Sequence, residues 1–175
     1  AYGQIGDNSQ TQRLTPVDVS GLSSGVTAIS TSGYNSCALL STGAVKCWGY
    51  NGYGQLGDNS AASVTPRTTP VDVSTLSSGV TAISTGSYHT CAVLNTGAAK
   101  CWGKNTSGRL GDGSNTASLT PVSVSTLSTG VIAIAAGEAH TCAVLNTGAV
   151  KCWGYNISGQ LGDGSTTQSF TPVGV

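Results

Sequence analysis

The feature that most constrains this chain is an internal repeat with a period of about fifty residues. Two motifs, G-[QR]-[LI]-G-D and P-V-x-V, each occur four times along the sequence. The first begins at Gly3, Gly54, Gly108 and Gly159, and the second at Pro16, Pro70, Pro121 and Pro172. Units of this size bury their apolar faces against neighbours of the same kind. The sequence therefore predicts an array of similar, stacked units.

Each full unit contains four short segments with strand character: G-V-x-A-I, C-A-x-L, A-x-K-C-W and P-V-x-V. They are rich in Val, Ile, Leu, Cys and Trp, and turn-forming residues separate them. No window has the apolar spacing of a helix over three turns. The prediction is an all-β fold, a β-propeller-like array of four-stranded blades. A stacked β-solenoid is the alternative, although its repeats are usually shorter.

One unit is longer than the others between the two motifs. Gly54 and Pro70 are 16 positions apart, whereas the other three copies have a spacing of 13. The extra residues lie within 61–69, and we expect the longest loop of the chain there.

The six cysteines form three pairs with a common spacing of ten residues: Cys37 and Cys47, Cys91 and Cys101, Cys142 and Cys152. A central [SN]-T-G sequence predicts a hairpin closed by glycine, which places the two cysteines of a pair opposite each other. This arrangement favours one disulfide in each blade. Free buried thiols and a zinc site are the alternatives, but zinc ligands usually come in more closely spaced pairs.

Composition limits the class of partner and the compartment. Seven basic and seven acidic residues give no net charge, so no field attracts a polyanion, and nucleic acid is disfavoured as a partner. No apolar run reaches the length of a membrane span. Six cysteines and the absence of methionine indicate a mature secreted chain, extracellular or on the cell surface.

The clearest repeat runs from His140-Thr141-Cys142 through Trp153-Gly154 to Gly159-Gln160-Leu161-Gly162-Asp163-Gly164. This string resembles the RCC1-like repeat family, especially secreted bacterial members with a cysteine pair in each repeat. The resemblance implies propeller blades with G-V-x-A-I innermost and P-V-x-V outermost. We expect a single domain over 1–175, comprising the outer strand of a preceding blade and three complete blades, at 1–19, 25–73, 79–124 and 130–175. Three blades are too few to close a ring, so we expect a window of a longer chain.

Several residues recur at the same place in each unit, which favours structural roles. For Trp48, Trp102 and Trp153 we expect blade-to-blade packing, with a stacking surface for carbohydrate or a partner as the alternative. The repeated aspartates are expected to form Asx-type turns, with calcium as the alternative: Asp7, Asp58, Asp112 and Asp163. His89 and His140 have no evident nucleophile or acid partner, and we expect structural roles for both.

Positions that depart from the repeat are the candidates for function, because loops carry function on a symmetric scaffold. Five tyrosines near loops are the predicted interaction surface, for a protein or a glycan: Tyr34, Tyr50, Tyr53, Tyr88 and Tyr155. Asn105 and Asn156 lie in N-x-S sequons and are the candidate glycosylation sites.

These observations favour a noncatalytic extracellular protein-interaction module. The alternative is a structural subunit of a surface fibre, sheath or ring that assembles head to tail. An enzyme is the weakest hypothesis, because no catalytic group, cofactor site or metal site stands out from the repeat. The expected partner is another protein or copies of the chain itself.

Overall fold

The computed structural model describes residues 2–175, which form three four-stranded antiparallel sheets. The first sheet contains β1 (Val26–Thr31), β2 (Asn35–Leu40), β3 (Val45–Asn51) and β4 (Ser63–Asp72). The second contains β5 (Val80–Thr85), β6 (His89–Leu94), β7 (Ala99–Gly103) and β8 (Ser118–Ser123). The third contains β9 (Val131–Ala136), β10 (His140–Leu145), β11 (Val150–Gly154) and β12 (Ser169–Gly174). We call these sheets blades one, two and three.

The order of strands within each blade follows the order of the chain. The first strands β1, β5 and β9 contact one another from blade to blade, so they are the innermost strands. Three of the four P-V-x-V segments, those beginning at Pro70, Pro121 and Pro172, lie at the ends of the last and outermost strands β4, β8 and β12. The described residues contain no helix, and thus none that could cross a membrane. The predicted all-β, propeller-like array of four-stranded blades is confirmed.

The central hairpin of each blade has the predicted register. Cys37 lies opposite Cys47, with 4.1 Å between their Cα atoms, and the two are joined by a disulfide. Gly43 closes this hairpin with a φ of 80°, which an L side chain rarely adopts. The other two hairpins repeat the arrangement, and their disulfides join Cys91 to Cys101 and Cys142 to Cys152.

The structure differs from the expectations at two irregular segments. The expected long loop at 61–69 is mostly strand, because β4 begins at Ser63 and pairs with β3 as far as Asn51. The segment 1–19, expected to be the outer strand of a preceding blade, contains no strand in its described residues, from residue 2 onward; its assignment to a preceding blade stays a prediction. This segment is instead held by hydrogen bonds such as Ser20 N–H to the carbonyl of Gly6, at 2.8 Å.

The hydrophobic core lies between blades. One cluster joins blades one and two, with Leu39 and Val45 from the first packed near Trp102 from the second. A second cluster repeats this pattern between blades two and three, where Val93 and Trp153 take part. Each blade therefore buries its apolar face against the next one, as the repeat predicts.

A backbone carbonyl tightens each contact between successive units. In the G-[QR]-[LI]-G-D motif, the carbonyl of the second residue accepts two hydrogen bonds from the next blade, one from an indole N–H and one from a hydroxyl. The indole bonds are Trp48 to Gln4 at 2.7 Å, Trp102 to Gln55 at 3.0 Å and Trp153 to Arg109 at 2.9 Å. The hydroxyl bonds are Ser36 to Gln4, Thr90 to Gln55 and Thr141 to Arg109, all at 2.9 Å. The repeated tryptophans are confirmed as packing residues.

Candidate interaction surface

Five of the six tyrosines gather at one edge of blades one and two. Tyr34 and Tyr88 stack, with ring centroids 4.6 Å apart and planes inclined by 22°. Tyr2 contacts Tyr50 edge to face, and Tyr53 contacts Tyr88 in the same way, each at 5.3 Å. Aromatic pairs of this geometry contribute roughly 0.5–1.5 kcal/mol beyond the area they bury. We call these five residues the tyrosine cluster; four of them were predicted from the sequence, and Tyr2 was not.

The repeat brings the cluster together by placing its members at equivalent turns. Tyr34 and Tyr88 lie between the first and second strands of their blades, while Tyr50 lies near the end of β3. In this structure the Tyr50 ring lies over Gly52, where a Cβ would collide with the hydroxyl end of the ring. The other full units carry Thr106 and Ile157 at this place. Gly52 was therefore a local sign that an aromatic ring packs over the backbone.

A lysine covers one side of the tyrosine cluster. The Nζ atom of Lys104 lies 4.7 Å from the ring centroid of Tyr53 and 5.1 Å from that of Tyr88, within the range of cation–π attraction. The neighbouring Tyr34 hydroxyl, and to a smaller extent burial, raises the pKa of Tyr88 to about 12. This phenol is therefore neutral at physiological pH. The surface combines aromatic rings, hydroxyl groups and one ammonium group.

Tyr155 lies apart from the tyrosine cluster, at the junction of blades two and three. It lines a cleft of 480 Å³ that we call the Arg109 cleft. The other lining residues come from both blades: Ser107, Arg109, Glu138, Ala139, His140 and Gln160. The structure thus separates the predicted surface into four clustered tyrosines and a fifth beside a polar cleft.

Arg109 is an unusual group for the base of this cleft. The residue is only 5% exposed, yet no carboxylate among residues 2–175 lies within ion-pair distance of it, and the charge of Glu138 acts on it only at longer range. Its Nη1 donates to the carbonyl of Glu138 at 3.1 Å and its Nη2 to the Thr106 hydroxyl at 3.4 Å, while Nε has no partner. Burial lowers the pKa of this guanidinium. Glutamine holds the same place in the other units, so this is a departure from the repeat.

The two histidines belong to the blade junctions. His89 is fully buried, and its Nε2 lies 2.9 Å from the Thr141 hydroxyl of the next blade. Burial, and then the positive charges of Arg109 and His140, lower the pKa of His89 to about 3. Asn35 holds the equivalent place in blade one and donates to Thr90 at 3.3 Å. These contacts agree with the structural role expected for His89.

The repeated aspartates form the predicted turns. In each of the four units the carboxylate accepts a hydrogen bond from the backbone N–H two residues later, at 3.0–3.1 Å; the aspartates are Asp7, Asp58, Asp112 and Asp163. Hydrogen bonds with serine lower the pKa of Asp7 and Asp163. Within the described residues, no group of three His, Cys, Asp or Glu side chains is arranged to hold a metal ion.

The two sequon asparagines are structural. Asn105 and Asn156 are fully buried, and the Oδ1 of Asn105 accepts from Leu110 N–H at 3.0 Å. Its Nδ2, the atom to which a glycan would be attached, donates to Asp112 at 3.1 Å and also to Ser114. A glycan has no room there and would break these bonds. Burial of Nδ2 therefore argues against a glycan on the folded domain, and glycosylation at Asn105 and Asn156 stays a prediction from the sequence.

Comparisons with known proteins agree with this architecture. Two family models described as "Regulator of chromosome condensation (RCC1) repeat" match the chain, one at 42–93 and 99–144, the other at 26–55, 80–109 and 131–160. The Arabidopsis thaliana ultraviolet-B receptor UVR8 is 36% identical over 150 residues, which are 84% of this chain and 33% of that protein. The mitochondrial RCC1 domain-containing protein RUG3 of the same plant is 31% identical over 184 residues, covering 98% of this chain and 40% of its own length.

Solved structures show the same fold. Yeast RCC1 (Prp20), in its complex with Kap60, superposes with a TM-score of 0.77 at 20% identity, over 86% of this chain and 37% of that one. Human WBSCR16 superposes with a TM-score of 0.74 at 25% identity, over 86% of this chain and 39% of that one. The chain spans less than half the length of these relatives. The matching repeats and the shared fold place the chain in the RCC1 repeat family.

Proposed function

We propose that the chain is a noncatalytic protein-interaction module that works outside the cell and contacts its partner through the tyrosine cluster. The observation that carries this proposal is the packing of five tyrosines and Lys104 on one edge. Tyrosine is enriched among the residues that dominate protein interfaces, because it offers a large rigid surface with a polar end.

The fold does not require these tyrosines. Blade three forms the same four-stranded sheet with Ala139 at the place of Tyr88, and Ser107 follows β7 at the place of Tyr53. Side chains that the scaffold can replace by alanine or serine are free to serve recognition. The tyrosine cluster differs in this respect from the buried tryptophans, which are present in every blade.

The disulfides support the extracellular part of the proposal. All six cysteines are paired, and persistent disulfides belong to oxidising compartments. The noncatalytic part is supported by the contacts of the candidate acid–base groups: His89 bonds to Thr141, and the aspartates hold turns. Among the relatives, yeast RCC1 has been seen bound to another protein, Kap60.

The test uses substitutions taken from the repeat itself. Tyr53→Ser and Tyr88→Ala together introduce the residues of the next unit, while Leu14→Ser removes a 94% exposed apolar side chain elsewhere as the matched control. Each immobilised protein is incubated with the secreted proteins of the source organism, and bound proteins are quantified by mass spectrometry. A partner retained by the wild type and L14S, with affinity reduced roughly tenfold or more for the double variant, supports the proposal. Equal retention by all three proteins contradicts it.

A structural subunit is the second candidate, and the apolar side of blade three favours it. Val45 of blade one and Ala99 of blade two are each 1% exposed because the next blade covers them, whereas the equivalent Val150 is 38% exposed. Any following blade would cover Val150 in the same way, and in head-to-tail assembly a second copy supplies that blade. Sedimentation over a wide concentration range tests this candidate: a mass that grows with concentration supports head-to-tail assembly, and a constant monomer mass contradicts it.

A further inference from the structure

The Arg109 cleft lies where the preceding junction carries two aromatic rings. Between blades one and two, Tyr53 and Tyr88 hold the places next to Gln55, with ring centroids 5.3 Å apart. Between blades two and three, the same places hold Ser107 and Ala139, next to Arg109. The 480 Å³ opening is within the size range of small-ligand pockets, about 300–1,000 Å³. The repeat itself therefore shows what kind of group this place accommodates.

Tyr155 provides one wall against which a ring would pack. In blade one its counterpart, Tyr50, contacts Tyr34 with ring centroids 6.1 Å apart. In blade three the counterpart of Tyr34 is Ala139, which has no ring. Among the described residues, Tyr155 thus lacks the aromatic neighbour that the same place has in blade one.

The polar residues of the cleft suit a ring that carries a hydroxyl group. Arg109 is buried without a carboxylate partner, and a guanidinium attracts the face of an aromatic ring strongly when both are removed from water. Glu138 and Gln160 also line the cleft: the Glu138 carboxylate can accept a phenolic O–H, and the Gln160 Oε1, which already accepts from the Ser158 N–H at 2.8 Å, keeps a second lone pair. A leucine side chain would satisfy neither the guanidinium nor these acceptors.

We propose that the Arg109 cleft binds a tyrosine side chain presented by the protein partner. The ring lies against Tyr155 and over Arg109, in the region that Tyr53 and Tyr88 occupy at the preceding junction. This inference rests on the proposed function, since it names one residue of the partner. It adds a second contact site, on the junction next to the tyrosine cluster.

The experiment uses N-acetyl-tyrosine amide as the probe and the whole chain labelled with nitrogen-15. We expect saturable amide shifts at Arg109, Ala139, His140 and Tyr155, and weaker effects from N-acetyl-leucine amide. Ala139→Tyr fills the cleft with the ring that blade two already carries at Tyr88, and we expect it to weaken binding of the probe roughly tenfold or more.

Two further variants provide a control outside the cleft and a test of Arg109 itself. Ala117→Tyr adds the same ring at an exposed alanine outside the cleft and should bind the probe like the wild type. Arg109→Gln introduces the residue found at Gln4, whose side chain still reaches the turn of the next blade, by a 3.0 Å bond to the Gly33 carbonyl. This variant should weaken binding several-fold while the spectrum stays folded.

Three results would overturn the inference: no saturable shifts, equal binding by A139Y, or equal shifts with the leucine probe. The titration needs no natural partner, so its outcome is separate from that of the proposed function. Tyr53→Ser with Tyr88→Ala, which tests the tyrosine cluster, should leave binding of the probe at the cleft unchanged.

Discussion

Replacing His89 with asparagine should remove most of the acid sensitivity of this domain between about pH 7.5 and about pH 5. His89 is fully buried and neutral in the folded state, where burial lowers its pKa to about 3 from the ordinary value of 6.5. Asn35 holds the equivalent place in blade one and bonds to Thr90 of the next blade. The repeat therefore supplies a replacement that does not titrate.

The sign follows from the proton balance. Below pH 6.5 the unfolded chain binds a proton at His89, whereas the folded chain does so only near pH 3, so stability falls as the pH decreases through this window. One bound proton corresponds to about 1.4 kcal/mol per pH unit, which gives a loss of about 2 kcal/mol between pH 7.5 and pH 5. His140, which is partly buried and also has a lowered pKa, adds a smaller loss. Asp7 and Asp163, whose pKa is lowered by hydrogen bonds with serine, protonate below this window.

The assay is urea unfolding of the wild type, H89N and H140N at several pH values across that window. The pH slope of the free energy of unfolding is compared within each protein, so any constant cost of a substitution cancels. H89N should lose most of the slope, and H140N only a small part of it. A slope for H89N equal to that of the wild type would refute the assignment of His89 as the main acid-sensitive group.

Three other changes test the blade junctions and hairpins, each by urea unfolding. Trp102→Phe removes the indole N–H that donates to the Gln55 carbonyl and should lower the free energy of unfolding by about 1–2 kcal/mol; no change would mean that the bond contributes little. Replacing Cys91 and Cys101 together with alanine should cost about 2–3 kcal/mol, and this variant should lose part of the wild type's sensitivity to reductant. Asn105→Ala leaves the Leu110 N–H without its acceptor and should cost about 1–3 kcal/mol, whereas an unchanged stability would indicate that water replaces the side chain.

The hairpins and strand order could be predicted because their signals are local and repeated. The alternation around Cys37 and Cys47, with Gly43 between them, specifies a register that the structure confirms. The segment 61–69 was predicted less well, since its exposed, turn-rich composition does not show that it extends the pairing of β4 with β3. A strand at a sheet edge takes its conformation from its neighbour more than from its own residues.

The interaction surface could be predicted only in part. Four clustered tyrosines were identified as departures from the repeat, but neither Tyr2 nor the separation of Tyr155 was. The membership of Tyr2 in the cluster and the separate position of Tyr155 both depend on which turns of successive blades lie side by side. The sequons illustrate the same limit: N-x-S describes a local pattern, whereas the buried position of Asn105 and its hydrogen bond to Ser114, nine residues away, depend on the fold.

The blade-to-blade carbonyl contact has a consequence for how such repeats diversify. Because the acceptor belongs to the main chain, any residue type can occupy that place without losing the bonds to the next indole and hydroxyl, and Gln55 and Arg109 show this directly. The contact between blades therefore depends on main-chain atoms, which substitution does not remove. The side chain at the same position can be replaced by one of a different charge. A family built in this way can evolve a different recognition chemistry between every pair of blades on an unchanged framework.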